Sequence, residues 1–180
     1  MRQRKRKFPS RPRIDGVVVK QAECRKFRRK RRRYFPVLRE VEIIYHRPRI
    51  KRATKITNSK EVYDLLIGLF DPRKIDYKEM FYVVLLSRSN HCLWYSQINV
   101  GSDAGVVVNI KEILQLVLKT NASGIILAHN HPSGNLKPSN PDIELTRKVQ
   151  AGCRLFDIQM LDHIILSSEG YTSMQDEGLM

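Results

Sequence analysis

The residues best equipped for chemistry lie in one stretch, His129-Asn130-His131-Pro132-Ser133-Gly134-Asn135-Leu136-Lys137-Pro138-Ser139-Asn140-Pro141-Asp142. His129 and His131 stand at i, i+2 where the apolar run Gly124–Ala128 gives out, and in extended chain that spacing sends both imidazoles to one side. Pro132 reinforces the extended form by disfavouring helical backbone at the residue before it. Gly134 and Pro138 bracket a turn that can bring the chain back, so Asp142, in the first turn of the next helix, can offer a carboxylate as a third ligand. Two imidazoles and one carboxylate suit Zn²⁺, which binds them at roughly 2.0 to 2.2 Å and keeps a fourth position for water in catalytic sites. Such water is acidified to a pKa of about 7 and needs a base to take its proton as it attacks a carbonyl. Glu79, on the lip of the apolar strand Met80–Leu86, is the candidate base, and Ser139 is placed to donate a hydrogen bond to the oxyanion.

Each part also has a plainer explanation. Ser139-Asn140-Pro141-Asp142 is a good helix start, with Ser as N-cap, Pro tolerated in the first turn and an acid favoured there by the helix dipole. A lone histidine at a loop start, or a lone Glu before a strand, is ordinarily a surface group. The conjunction favours chemistry, because H-x-H-P at a strand end followed at a fixed distance by S-x-x-D is a long pattern to meet by accident. Asp162-His163 could supply a fourth ligand or a catalytic dyad, but His163 precedes the apolar run Ile164–Leu166 and reads as structural, a hydrogen-bonded residue near the site. Ser133 has no nucleophile-elbow context, and His91 and His46 carry no stronger signal.

The elements that must position these groups follow from periodicity. Val37–Tyr45 reads as a strand pairing at a sheet edge, followed by a basic connector through Lys55. Asn58-Ser59-Lys60-Glu61 has the form of a capping box ahead of Val62, Leu65, Leu66 and Leu69, an amphipathic helix stopped by Asp71-Pro72. Phe81–Leu86 and Leu93–Val100 suggest a hairpin. Asn109 caps a second helix ending near Asn121, Gly124–Ala128 is a short buried strand, Ser139–Cys153 a third helix with Ile143, Leu145 and Val149 as inward candidates, and Leu161–Leu166 another strand. The order β, α, β, β, α, β, α, β predicts an α/β domain, a three-layer mixed sheet flanked by helices.

Charge divides the chain unevenly. Of 33 Lys and Arg against 18 Asp and Glu, Met1–Phe35 holds 16 basic and two acidic residues, a net of +14, while the other 145 residues sum to +1. The run Arg25–Arg33 repels itself, so residues 1–35 are expected to be a disordered basic tail that gathers nucleic acid without sequence preference, or a solvated extension with no partner. Residues 36–55 form the edge strand and connector, and 56–180 the folded domain. No apolar stretch reaches the ~18 to 20 residues of a membrane span, and the amino end lacks the apolar block of a secretory signal, so a cytoplasmic protein is expected. Cys24, Cys92 and Cys153, odd in number and without C-x-x-C spacing, are expected to be free thiols.

The pattern Glu79, His129-x-His131-Pro132, six residues, Ser139-x-x-Asp142 resembles the JAMM signature of the JAB/MPN metalloprotease family. A-H-N-H-P-S-G at Ala128–Gly134 and L-D-H-I-I-L at Leu161–Leu166 are similar to its RadC branch, which favours Asn between the two histidines. The resemblance covers roughly Ile56–Met180. It implies a JAB/MPN-like, cytidine-deaminase-like core, one Zn²⁺ held by His129, His131 and Asp142, Glu79 as general base and Ser139 as oxyanion partner, in a metallopeptidase cleaving a peptide or isopeptide amide of a peptide or protein substrate. Full-length members of the branch resemble two-part proteins with a helix-hairpin-helix DNA-binding region, where this chain offers a basic segment and one strand. The alternatives are a DNA-associated repair or mobile-element factor acting through residues 1–35, and a metal-bound domain that recognises a partner without catalysis.

Overall fold

A computed structural model of the chain describes residues 17–20, 40–46, 53–100 and 108–180. They fall into two compact units, Met1–Arg47 and Pro48–Met180. In the first, β1 (Val17–Lys20) pairs antiparallel with β2 (Glu40–Ile43), Val17 opposite Ile43. The expected strand Val37–Tyr45 is thus realised over Glu40–Ile43, as half of a two-stranded ladder. Its partner comes from the segment read as a basic tail, where Val17, Val18 and Val19 carry the β-branched signal. The rest of that segment, Arg25–Arg33 included, lies outside the described residues.

The second unit is an open mixed sheet in the order β4-β3-β5-β6-β7, formed by β3 (Met80–Leu86), β4 (Cys92–Val100), β5 (Gly124–Asn130), β6 (Gln159–Leu166) and β7 (Tyr171–Ser173). Strand β3 runs antiparallel to β4 and β5, β5 parallel to β6, and β6 antiparallel to β7. Parallel neighbours need a crossover, and α3 (Asn140–Arg154) supplies it between β5 and β6. The remaining helices are α1 (Ser59–Ile67), capped by Asn58, and α2 (Ile110–Thr120), capped by Asn109 and closed by Asn121 in the left-handed region.

Every residue of β3 and β5 is buried, which is why both read as unbroken apolar runs. Alternation along them sorts the core into two layers. Tyr82, Val84, Leu86, Ile126 and Ala128 pack with Val62 and Leu66 of α1. Phe81, Val83, Leu85, Ile125 and Leu127 pack with Ile113 and Val117 of α2 and Val149 and Cys153 of α3. Each buried Val, Leu, Ile or Phe among them contributes about 1.5 to 3 kcal/mol, and Leu127→Ala, in the second layer, costs about 2 to 5 kcal/mol. The three-layer α/β architecture is the one expected. No helix among the described residues is long and apolar enough to cross a membrane.

Candidate metal centre

Strand β5 runs two residues further than the apolar pattern indicates, to Asn130, so His129 is a strand residue and His131 follows directly. Pairing with β3 sets Phe81 opposite His129. The same antiparallel register continued by two residues brings Glu79 to the level of His131. After His131 the chain turns through Gly134, whose φ of +76° favours glycine, and enters α3 at Ser139.

Three of the sequence-predicted residues converge. His129, His131 and Asp142 each offer a ligand atom, all within 4.8 Å of one another. The His129 and His131 Nε2 atoms are 2.9 Å apart, and Asp142 Oδ1 is 3.3 Å from His129 Nε2. A tetrahedral ion with ligands at 2.0 to 2.1 Å would space them about 3.3 Å apart. The cluster is sheltered, with His129 at 1% and Asp142 at 14% side-chain exposure.

Hydrogen-bond partners decide which ring nitrogens face the cluster. His131 Nδ1 lies 2.6 Å from the Asn135 carbonyl oxygen, which can only accept, so Nδ1 carries the hydrogen and Nε2 is the atom available to an ion. His129 is set through a relay. Thr146 Oγ1 is 2.7 Å from the Asp142 carbonyl oxygen and 2.7 Å from His163 Nδ1. Its one proton goes to the carbonyl, so His163 Nδ1–H donates to the hydroxyl. Burial pushes the pKa of His163 well below its ordinary value, with the neighbouring His129 adding to the effect, so its ring is neutral and Nε2 is bare. That atom, 2.9 Å from His129 Nδ1, accepts the His129 hydrogen and leaves His129 Nε2 for a cation. Two imidazole lone pairs aimed at each other across 2.9 Å demand a positive centre between them, and the donor set fits a divalent ion of borderline softness such as Zn²⁺.

Asp142 serves the helix and the cluster at once. Its Oδ2 accepts from the Ser139 backbone N–H at 2.7 Å and from Ser139 Oγ at 2.5 Å, closing a capping box, while Oδ1 faces His129. Burial alone would raise its pKa, but the neighbouring imidazoles, once protonated, and the Ser139 hydroxyl hold the carboxyl well below the usual carboxylate range. The Asp142 carboxylate, 3.6 Å away, raises the pKa of His131 in turn, and the nearby Glu79 charge adds to it. Without a cation, a proton on His131 supplies the positive centre.

Glu79 and Ser139 line one open pocket of about 500 Å³ beside His131, together with Lys78 and Lys137. Glu79 therefore shares a pocket wall with His131 and Ser139. The Ser139 hydroxyl points its proton at Asp142, and donation to an oxyanion would require it to turn away. His163 is fully buried beside the site, as its apolar context indicated. Thr146 and the role of Asn130 escaped the sequence reading. A threonine on the inward face of α3 is invisible to a search for apolar periodicity, although one polar residue at a buried helical position beside a candidate site is itself a signal.

A family model described as RadC-like JAB domain matches residues 56–179. Curated relatives carry the name UPF0758 protein. One from Flavobacterium johnsoniae is 35% identical over 130 residues, covering 72% of this chain and 56% of the relative. Another from Fusobacterium nucleatum is 39% identical over 132 residues, covering 72% and 55%, and one from Aquifex aeolicus is 35% identical over 130 residues, covering 72% and 54%. The chain thus spans about half the length of the curated relatives it matches.

Proposed function

We propose that this chain, which belongs to the RadC-like JAB domain family, is a zinc-dependent hydrolase that cleaves a peptide or isopeptide amide with an activated water. The observation that carries this reading is the convergence of His129 Nε2, His131 Nε2 and Asp142 within 4.8 Å, with the Glu79 carboxylate on the wall of the adjoining pocket. A Zn²⁺ bound there supplies a Lewis acid that acidifies water and polarises the carbonyl oxygen. The residues of the chain do the rest. His163 and Asn135 orient the two imidazoles, and Ser139 orients the carboxylate. Glu79 accepts the proton of the attacking water and returns it to the leaving nitrogen. The Ser139 hydroxyl turns from Asp142 toward the oxyanion.

Metal analysis of purified protein, followed by a peptide-library screen of wild type beside Glu79→Gln, tests the reading. Glu79→Gln is expected to retain zinc and lose cleavage. Loss of metal with that change would remove Glu79 from the base role, and a zinc-free wild type that takes up none would end the hydrolytic account.

A second reading rests on the +14 concentrated in residues 1–35. Binding of nucleic acid through that segment should fall steeply with salt and vanish on its deletion, with amide cleavage untouched.

A further inference from the structure

The residue between the two histidines has a task of its own. Strand alternation turns His129 and His131 to one face of β5 and Asn130 to the other, where the turn at 71–79 leads into β3. There Asn130, wholly buried, uses both ends of its carboxamide. Its Oδ1 accepts from the Met80 backbone N–H at 2.7 Å, and its Nδ2 donates to the carbonyl oxygens of Ile75 at 2.5 Å and Lys78 at 2.8 Å. The bonds to Lys78 and Met80 bracket Glu79. The three partners are 50 to 55 residues away in sequence, so no local interaction substitutes for them. A shorter polar residue cannot span both sides, and an aspartate would set a carboxylate against two carbonyl oxygens.

We infer that Asn130 is the positioning residue that fastens the Glu79-bearing turn to the metal-binding strand, so that the base and the cation ligands move as one rigid body. One peptide unit on either side of Asn130 leads to a ligand, and one on either side of Glu79 is held by Asn130. Beyond the β3–β5 ladder, the Glu79-bearing turn is therefore tied to the strand of the two histidines by a single side chain that faces away from them. The inference rests on the reading of His129, His131 and Asp142 as metal ligands and Glu79 as base.

The test uses the full chain loaded with Co²⁺, whose visible spectrum reports the metal surroundings without any substrate. Glu79→Gln is expected to move the pH midpoint of that spectrum by about one pH unit, the usual size for removal of a neighbouring charge. Asn130→Ala should move it in the same direction by at least half as much while Co²⁺ is still bound, and Glu79→Gln/Asn130→Ala should move it no further than Glu79→Gln alone. A variant that only lowers the melting temperature, with the midpoint in place, overturns the inference, as does a shift that adds to that of Glu79→Gln. Should Asn130→Ala not fold, Asn130→Ser keeps an acceptor for the Met80 N–H and should show a smaller shift of the same sign. Hydrogen exchange of the wild type is a further check that needs no variant. The Met80 amide should be protected as well as ladder amides such as that of Val84, and exchange a hundredfold faster would overturn the inference. A wild type that takes up no Co²⁺ sinks the metal reading itself, an outcome distinct from Co²⁺ bound and Asn130 uncoupled.

Discussion

The N-termini of α1 and α3 are built from the same local chemistry and end in different places. At α1, Asn58 Oδ1 accepts from the Glu61 N–H at 2.9 Å, and the Glu61 carboxylate accepts from the Thr57 N–H and hydroxyl at 2.7 and 2.9 Å. At α3, Ser139 Oγ accepts from the Asp142 N–H, and the Asp142 carboxylate accepts from the N–H and hydroxyl of Ser139, the cap itself, where Glu61 reaches the residue before its cap. Both acids close a cap and both lie at the positive end of a helix dipole. Only Asp142 meets imidazoles, and among the described residues His129, His131 and Asp142 form the one group of three that could hold a metal. The difference is not in the helices. It comes from β5, whose pairing with β3 and β6 delivers two histidines to the start of α3 and none to the start of α1. A capping sequence is therefore neutral about function until a strand register 10 residues or more away is known.

The largest expected effect breaks the comparison outright. Asp142→Asn keeps an oxygen acceptor for the Ser139 N–H and hydroxyl, so α3 should remain capped, but it removes the negative charge that the proposed zinc site requires. Zinc affinity measured by chelator competition should fall on the order of a hundredfold or more, while Glu61→Gln should leave it unchanged. Equal zinc affinity in Asp142→Asn and wild type would reduce α3 to the ordinary case that α1 represents. Next in size is Thr146→Val. Removing the hydroxyl strands the His163 Nδ1–H and loosens the tautomer of His129, with an expected loss of about 10- to 100-fold in zinc affinity. The paired change at α1, Val62→Thr, should do nothing to the metal.

How much of this was legible in the sequence follows from the range of the forces involved. The cap at Ser139, the apolar runs of β3 and β5 and the same-side placement of His129 and His131 depend on neighbours within a few residues, and all are readable. The extension of β5 to Asn130 was not, because its last two residues are polar and their burial is decided by the turn at 71–79 and by α3. Thr146 hides for the same reason. It replaces an apolar residue on the inward face of α3 because that face meets a histidine, whereas Ile143 and Leu145, apolar and expected inside, are only half-buried. β1 is overlooked because the basic composition around it outweighs three valines, and β7 because three residues give too short a period.

Protonation sharpens the contrast between the two caps. The folded pKa of His131 lies above its ordinary 6.5. Its pairing with Asp142 therefore stabilises the cation-free protein fully below pH 6.5 and ceases to do so as pH rises through the folded value. Asp142 has the opposite sign, its contribution being present above the ordinary carboxylate value of 3.8 and lost as pH falls through a lower folded value. On the proposed function, zinc would have to displace the His131 proton. Apparent affinity should consequently climb by up to about tenfold per pH unit from pH 6 and level off only above the folded pKa of His131. A flat affinity between pH 6 and 8 would contradict the assignment of His131 Nε2 as a ligand.

The smallest effect separates capping from coordination within one residue. Ser139→Ala removes the N-cap acceptor of α3 and should lower stability by about 1 kcal/mol, as Asn58→Ala should at α1. In the cation-free protein the two losses should be alike, since each helix forfeits one side-chain bond to a backbone N–H. With zinc bound they should diverge. The Ser139 hydroxyl also holds Asp142 Oδ2 at 2.5 Å, so its removal frees a ligand to rotate, and the zinc-dependent gain in melting temperature should shrink in Ser139→Ala and stay whole in Asn58→Ala. If the gain is the same in both, the Ser139–Asp142 bond orders the helix alone and the carboxylate is kept in place by the imidazoles.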